Sequence, residues 1–164
     1  MSGSTRLLRV VLENEPPPDL PSCIEADREQ AVSELTSANH FVPLPHLGQT
    51  AAGPYALHLS IREARLVFDI RTGDGAPVTV IGLALGPSRP YIKDYHLLVD
   101  SYTKAVQEGR KARIQAIDMG RRGLHNEGAA FMMQRLKGKI AIDFETARRL
   151  FTLVCVLHQR VSAR

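Results

Sequence analysis

The stretch Leu57-His58-Leu59-Ser60-Ile61-Arg62-Glu63-Ala64-Arg65-Leu66-Val67-Phe68-Asp69-Ile70-Arg71-Thr72-Gly73-Asp74-Gly75 decides the fold class. Leu57, Leu59 and Ile61 alternate with His58 and Ser60, and Leu66, Phe68 and Ile70 alternate with Val67, Asp69 and Arg71. Successive side chains of a strand point to opposite faces, so a period of two gathers each apolar set on one side. The segment reads as two half-buried antiparallel strands joined at Arg62-Glu63-Ala64. Thr72-Gly73-Asp74-Gly75 supplies turn chemistry, and Val78 to Leu85 a third strand. The phase of that strand slips, with Val78 and Val80 on one side and Ile81, Leu83 and Leu85 on the other. A bulge at Gly82, where glycine admits the distortion, would account for the slip. Residues 55–86 are therefore expected to form a β-meander with one face open to helices.

Working outward, residues 1–24 read as an N-terminal strand (Arg6–Leu12) and a proline-rich connection. Pro16-Pro17-Pro18 makes that connection stiff and extended, because proline fixes φ and donates no hydrogen bond. Glu25 to Asn39 carries Ala31, Val32, Leu35 and Ala38 at helical spacing. Phe41 to Pro54, with three prolines and two glycines, reads as a loop. Residues 90–160 read as a helical layer. Pro90 suits a first helical turn and Gly109 the end of that helix. Between them Ile92, Tyr95, Leu98, Val99, Tyr102, Ala105 and Val106 mark one apolar stripe. Ile114 and Ile117 face inward on a short helix that stops at Gly120. Ala129, Met133 and Leu136 mark another, ending at Gly138. Lys139 to Ile142 reads as extended, and Asp143 as the N-cap of a helix running to about Arg160. The expectation is a single α+β domain over residues 1–164: a small antiparallel β-meander packed against a C-terminal layer of helices.

A chain of 164 residues with 44% apolar and 23% charged side chains has the size and composition of one globular unit with a core. Disorder throughout, collagen and a disulfide-stapled mini-protein are excluded. Cys23 and Cys155 form neither a metal spacing nor a disulfide framework, which points to the reducing cytoplasm. The longest apolar run, Leu150–Leu157, falls far short of the ~20 residues a bilayer requires. Arg6–Leu12 has an arginine in its apolar stretch and no cleavage site, so no signal peptide and no membrane partner are expected.

Charge is unevenly placed. The net charge is +4, yet residues 1–90 hold 7 basic and 10 acidic side chains and residues 91–164 hold 14 basic and 7 acidic. A basic half points to an anionic partner. Within it lies Ile117-Asp118-Met119-Gly120-Arg121-Arg122-Gly123-Leu124-His125-Asn126-Glu127-Gly128. Three glycines between two expected helices would let backbone N–H groups line a concave turn, reinforced by the N-terminus of the following helix. Arg121 and Arg122 add planar forks suited to phosphate or carboxylate. Gly120, Arg121, Arg122, Gly123, His125 and Asn126 are thus the candidate anion-binding residues of a corner at Gly120–Gly128. The bland alternative is a helix–turn–helix bend in which Gly120 and Asn126 cap and the arginines pair with Asp118 and Glu127. The spacing matches neither the dinucleotide fingerprint nor the phosphate-binding loop of nucleotide hydrolases.

Two further readings use the same residues. His125 could act as general acid/base, oriented by Asp118, Glu127 or Asp94, in a hydrolase or transferase acting on a phosphorylated or carboxylated metabolite. No nucleophile elbow or Cys–His pairing supports it. Gly120-Arg121-Arg122-Gly123 also has the Gly-x-x-Gly form with which the KH class clamps RNA backbone, but the strand order does not suit that fold, so nucleic acid is disfavoured. The six histidines lack paired ligand spacing, so no metal and no cofactor are expected. Tyr91, Tyr95 and Tyr102 share one side of a helix and read as core residues with hydroxyls at the rim.

The segments Ile92-Lys93-Asp94-Tyr95, Ser101-Tyr102, Ile117 to Gly128 and Asp143 to Leu157 resemble a bacterial group, the uncharacterised protein family (UPF) number 0262, with the likeness running from about Ala31 onward. The resemblance implies a bacterial cytosolic protein and carries no activity with it. The residues themselves favour a binding or regulatory module with an anionic small molecule as partner, and leave a homodimer or protein-partner scaffold as the structural alternative.

Overall fold

The computed structural model describes residues 4–13, 22–44 and 52–162. The elements run β1 (Leu7–Leu12), α1 (Ser22–Ser37), β2 (Phe41–Pro43), β3 (Tyr55–Arg62), β4 (Arg65–Thr72), β5 (Pro77–Ala84), α2 (Arg89–Glu108), α3 (Lys111–Leu136), β6 (Ile140–Ile142) and α4 (Phe144–Ser162). The protein is α+β, with an antiparallel meander packed against helices. The Pro16-Pro17-Pro18 connection and residues 45–51 of the loop expected at 41–54 lie outside the described residues.

Strands β3, β4 and β5 pair antiparallel as their alternation demands, Leu57 opposite Ile70 and Phe68 opposite Ile81. The β3–β4 connection is a two-residue hairpin in which Glu63 and Ala64 both adopt positive φ, 51° and 61°. This left-handed conformation matches the twist of the strands, but costs a side-chain-bearing residue roughly 1–2 kcal/mol. The meander gains a strand, and two expectations are corrected. β1 joins it parallel to β3, giving a mixed sheet of order β1-β3-β4-β5, with α1 lying between the two strands in the chain. The register shift in β5 lies where Arg71 meets Pro77 and Ile70 meets Thr79, so Val78 is the extra residue, and Gly82 pairs regularly with Val67. Phe41–Pro43, read as loop, is a short strand paired antiparallel with Ile140–Ile142.

The inner face of the sheet buries Leu57, Leu59, Leu66, Phe68 and Ile70 in one core with the helices. At its centre is α4, where Leu150 through Leu157 are all buried. A helical stretch buried all round needs neighbours on every side, and truncating Leu150, Leu153 or Leu157 to Ala should cost about 2–5 kcal/mol. Asp143 begins the helix as expected, its Oδ1 accepting the Thr146 N–H at 2.8 Å. Gly109 ends α2 in the left-handed region, its N–H bonding the carbonyls of Ala105 and Val106. Cys155 is buried in α4, whereas Cys23, expected in a loop, lies in the first turn of α1.

The largest correction concerns Gly120–Gly128. The two helices expected on either side of it are one, α3, which continues from Lys111 to Leu136. Gly128 marks the reason. A Cβ at that position would lie 2.4–2.5 Å from the ring atoms of Phe151, so the glycine lets α3 approach α4 closely. Packing, rather than turn formation, is what this glycine serves.

Candidate functional site

A continuous α3 removes two of the donors that the expected corner supplied. Its N–H groups from Gly120 onward belong to the helix ladder, and its N-terminus lies at Lys111, about 14 Å from Gly120 at 1.5 Å per residue. Gly120-Arg121-Arg122-Gly123 is likewise helical and offers no loop to clamp a nucleic-acid backbone. What α3 does supply is one face. Residues 118, 121, 122 and 125 follow helical spacing and look into a cleft of about 320 Å³ between α1, α3 and α4.

The cleft is lined by Asp118, Arg121, Arg122 and His125 from α3, by Asp27, Gln30 and Glu34 from α1, and by Arg148, Arg149 and Thr152 from α4. Of the residues singled out from the sequence, Arg121, Arg122, His125 and Asp118 thus come together. Asn126 and Glu127 are exposed outside that lining, and so is Asp94 on α2. Gly120 and Gly123 are likewise outside it.

Two of the four arginines are engaged. Arg121 Nη2 donates to both Asp27 oxygens, at 2.8 and 3.0 Å, with Asp118 3.7 Å from Nη1 and the Tyr102 ring centroid 5.5 Å from its guanidinium carbon. Tyr95 completes this knot by donating its hydroxyl to Asp27 at 2.7 Å. Arg149 Nε lies 3.3 Å from Glu34 Oε2, and its Nη1 donates to the Ala38 carbonyl at 3.3 Å. The other two are different. Among the described residues no carboxylate pairs with Arg122 or Arg148, and the buried Nε–H of Arg148 has no hydrogen-bond partner. An unmet guanidinium donor is costly, and positions that keep one call for an explanation.

His125 is almost fully buried, its ring edge-on to Tyr95 and Phe151, and its Nδ1 lies 3.0 Å from the Thr152 hydroxyl. Burial first, then the adjacent charges of Arg148 and Arg121, push its pKa down to about 4. It is therefore neutral at neutral pH. A neutral imidazole of that pKa is a poor proton donor and a weak base, so it suits a hydrogen-bonded wall better than acid–base work. The hydroxyl stripe of α2 resolves as core and rim: Tyr95 is buried and bonded to Asp27, and Tyr91 packs on Phe131 and Phe151.

Sequence reading missed the α1 and α4 walls. Arg148-Arg149, two adjacent arginines directly before the buried run Leu150–Leu157, is the signal that could have found the second of them. Among the described residues no group of three or more His, Cys, Asp or Glu side chains could hold a metal ion. No helix among them is long and apolar enough to cross a membrane.

Residues 4–160 match the Uncharacterised protein family (UPF0262), and the chain belongs to that family. It is 64% identical to a UPF0262 protein of Granulibacter bethesdensis, over 98% of this chain and 93% of that one. It is 53% identical to one of Acidiphilium cryptum (94% and 93%), and 48% identical to one of Agrobacterium fabrum (97% and 98%). No solved structure matches.

Proposed function

We propose that this member of the UPF0262 family is a binding module whose cleft between α1, α3 and α4 takes a small phosphate- or carboxylate-bearing molecule. The observation that carries the reading is the pair Arg122 and Arg148, two guanidinium groups on one cleft without carboxylate partners among the described residues, one of them with a buried N–H unmet by those residues. An anion between them would supply the missing acceptors through charge-assisted hydrogen bonds. About 320 Å³ has room for such a group on a small body. Arg121 and Arg149, held by Asp27 and Glu34, would act as fixed walls rather than as primary contacts.

The test is a thermal-shift panel of inorganic phosphate, pyrophosphate, nucleoside phosphates and small carboxylates, followed by calorimetric titration of any compound that raises the melting point. Ligands that bind only the native state stabilise it by an amount that grows with the logarithm of their free concentration above Kd. Arg122→Glu should abolish the shift while leaving the melting point without ligand nearly unchanged. A panel in which no anion stabilises the protein, or a shift that survives Arg122→Glu, would overturn the reading. Acid–base catalysis by His125 is the weaker alternative, because the ring that would carry it is buried and bonded to Thr152.

A further inference from the structure

The four-stranded sheet has two outer edges, and they are treated differently. At β1 the Asn39 side chain stands in for a neighbouring strand: its Oδ1 accepts the Leu7 N–H at 2.7 Å and its Nδ2 donates to the Leu7 carbonyl at 3.0 Å. Strand β5, at the other edge, pairs among the described residues only with β4. Leu85 N–H bonds the Ala64 carbonyl at 3.0 Å, which sets the parity of the strand. Because residues two apart share a side, Leu83 and Ile81 bond β4, whereas Val80, Gly82 and Ala84 turn their N–H and C=O groups outward. Among the described residues nothing pairs with these groups. The eight residues Pro77-Val78-Thr79-Val80-Ile81-Gly82-Leu83-Ala84 contain no charge, and the Val80 side chain is 63% exposed. Folded proteins ordinarily protect such an edge with lysine, proline, a bulge or a cover. Here the bulge and the proline sit at one end and leave residues 80–84 bare.

We propose that β5 is the seam of a homodimer, in which two copies pair their β5 edges antiparallel about a two-fold axis at Gly82 to form one eight-stranded sheet. The occupant is a second copy because the edge complements itself. With the axis at Gly82, Gly82 faces its own counterpart, Val80 faces Ala84 of the partner subunit, and all the outward main-chain groups of residues 80, 82 and 84 find partners. On the solvent face Val80 borders Asp69 and Ala84 borders Arg65. Across the seam that row therefore runs from an acid, through two small apolar side chains, to a base, and no like charges meet. An isologous contact of this kind closes on itself and does not propagate into fibres.

The register gives the test its resolution. In a Cys23→Ser background, Gly82→Cys places two thiols on directly opposed residues, whose Cα atoms in a hydrogen-bonded pair lie ~5.5 Å apart, within disulfide reach. Val80→Cys leaves the two copies of that cysteine four residues out of register, ~13 Å apart, out of reach. Among the described residues a Cβ at Gly82 meets only the Arg65 side chain, at 3.9 Å, so the cysteine fits. Mild oxidation should cross-link Gly82→Cys and not Val80→Cys. Sedimentation velocity should find the unaltered protein dimeric and Val80→Lys monomeric, with the circular dichroism spectrum unchanged. A monomer at millimolar concentration, a dimer that Val80→Lys leaves intact, or equal cross-linking of both cysteine variants would overturn the proposal.

Discussion

Arg121 is held to Asp27 through both carboxylate oxygens, at 2.8 and 3.0 Å, and the same carboxylate takes the Tyr95 hydroxyl at 2.7 Å. Three helices meet at one acid: Asp27 on α1, Tyr95 on α2 and Arg121 on α3. Because the pair is mostly shielded, with side-chain exposures of 24% and 14%, removing one member strands the other. Asp27→Ala should cost about 2–4 kcal/mol in urea unfolding. The double variant Asp27→Leu/Arg121→Met, which removes both charges, should recover a large part of that loss. A single-variant cost below about 0.5 kcal/mol would mean the knot is ornamental.

The two glycines on either side of His125 should respond in opposite directions. A Cβ at Gly123 meets nothing within 4 Å among the described residues, and the residue is helical and exposed, so Gly123→Ala should stabilise by roughly 0.5–1 kcal/mol. At Gly128 the added methyl would strike the Phe151 ring, and Gly128→Ala should destabilise by about 1–3 kcal/mol. Melting curves of the two variants decide whether the segment is helix or turn, because a turn glycine at position 123 would lose stability on the same change.

Acid should weaken the fold through His125. Its folded pKa lies at about 4, against 6.5 for the free side chain, so on acidification the unfolded chain takes up a proton first. Stability is unaffected above pH 7, falls as pH drops from about 6.5 to about 4, and levels off below, for a total of about 3 kcal/mol. His96 and His158, also lowered mainly by burial, act in the same direction. Denaturation at pH 7.5 and pH 4.5 should show this loss, and His125→Asn should shrink it while keeping a hydrogen-bonding group beside the Thr152 hydroxyl. An unchanged difference in that variant would remove His125 from the account.

Arg148 should prove costly to the empty protein. Its buried Nε–H lacks a partner among the described residues and its charge lies beside His125. Arg148→Met keeps the bulk and removes the unmet donor, and its melting point should equal or exceed that of the unaltered chain. The same variant should lose the response to anions in the thermal-shift panel. A loss of stability of more than about 1 kcal/mol would show instead that the guanidinium supports the fold.

Local signals were legible wherever local physics dominates. The alternation of Leu57–Ile70, the Asp143 cap, and Pro90 and Gly109 at the two ends of α2 each follow from steric and hydrogen-bonding rules that act within a few residues. Ile117–Gly128 misleads because three glycines in isolation signal a turn, whereas Gly128 answers to Phe151, a residue far along the chain. One wall of the cleft was legible in the same sense. Arg121, Arg122, His125 and Asp118 lie together on one helix, but Asp27, Glu34, Arg148 and Arg149 join them only through the packing of α1 and α4. The parallel seat of β1 is hidden for the same reason, since nothing within Arg6–Leu12 encodes the direction of its partner.

The short clasp between Phe41–Pro43 and Ile140–Ile142 joins points almost a hundred residues apart, just before the helix that fills the centre of the core. During synthesis the meander is therefore made well before its cover. Leu57, Leu59, Phe68 and Ile70 share one core with the buried run of α4, which is complete only once the ribosome has passed residue 157. An interval of apolar exposure is thus built into the order of translation, and the nascent chain is most vulnerable to aggregation while residues 90–140 are still being added.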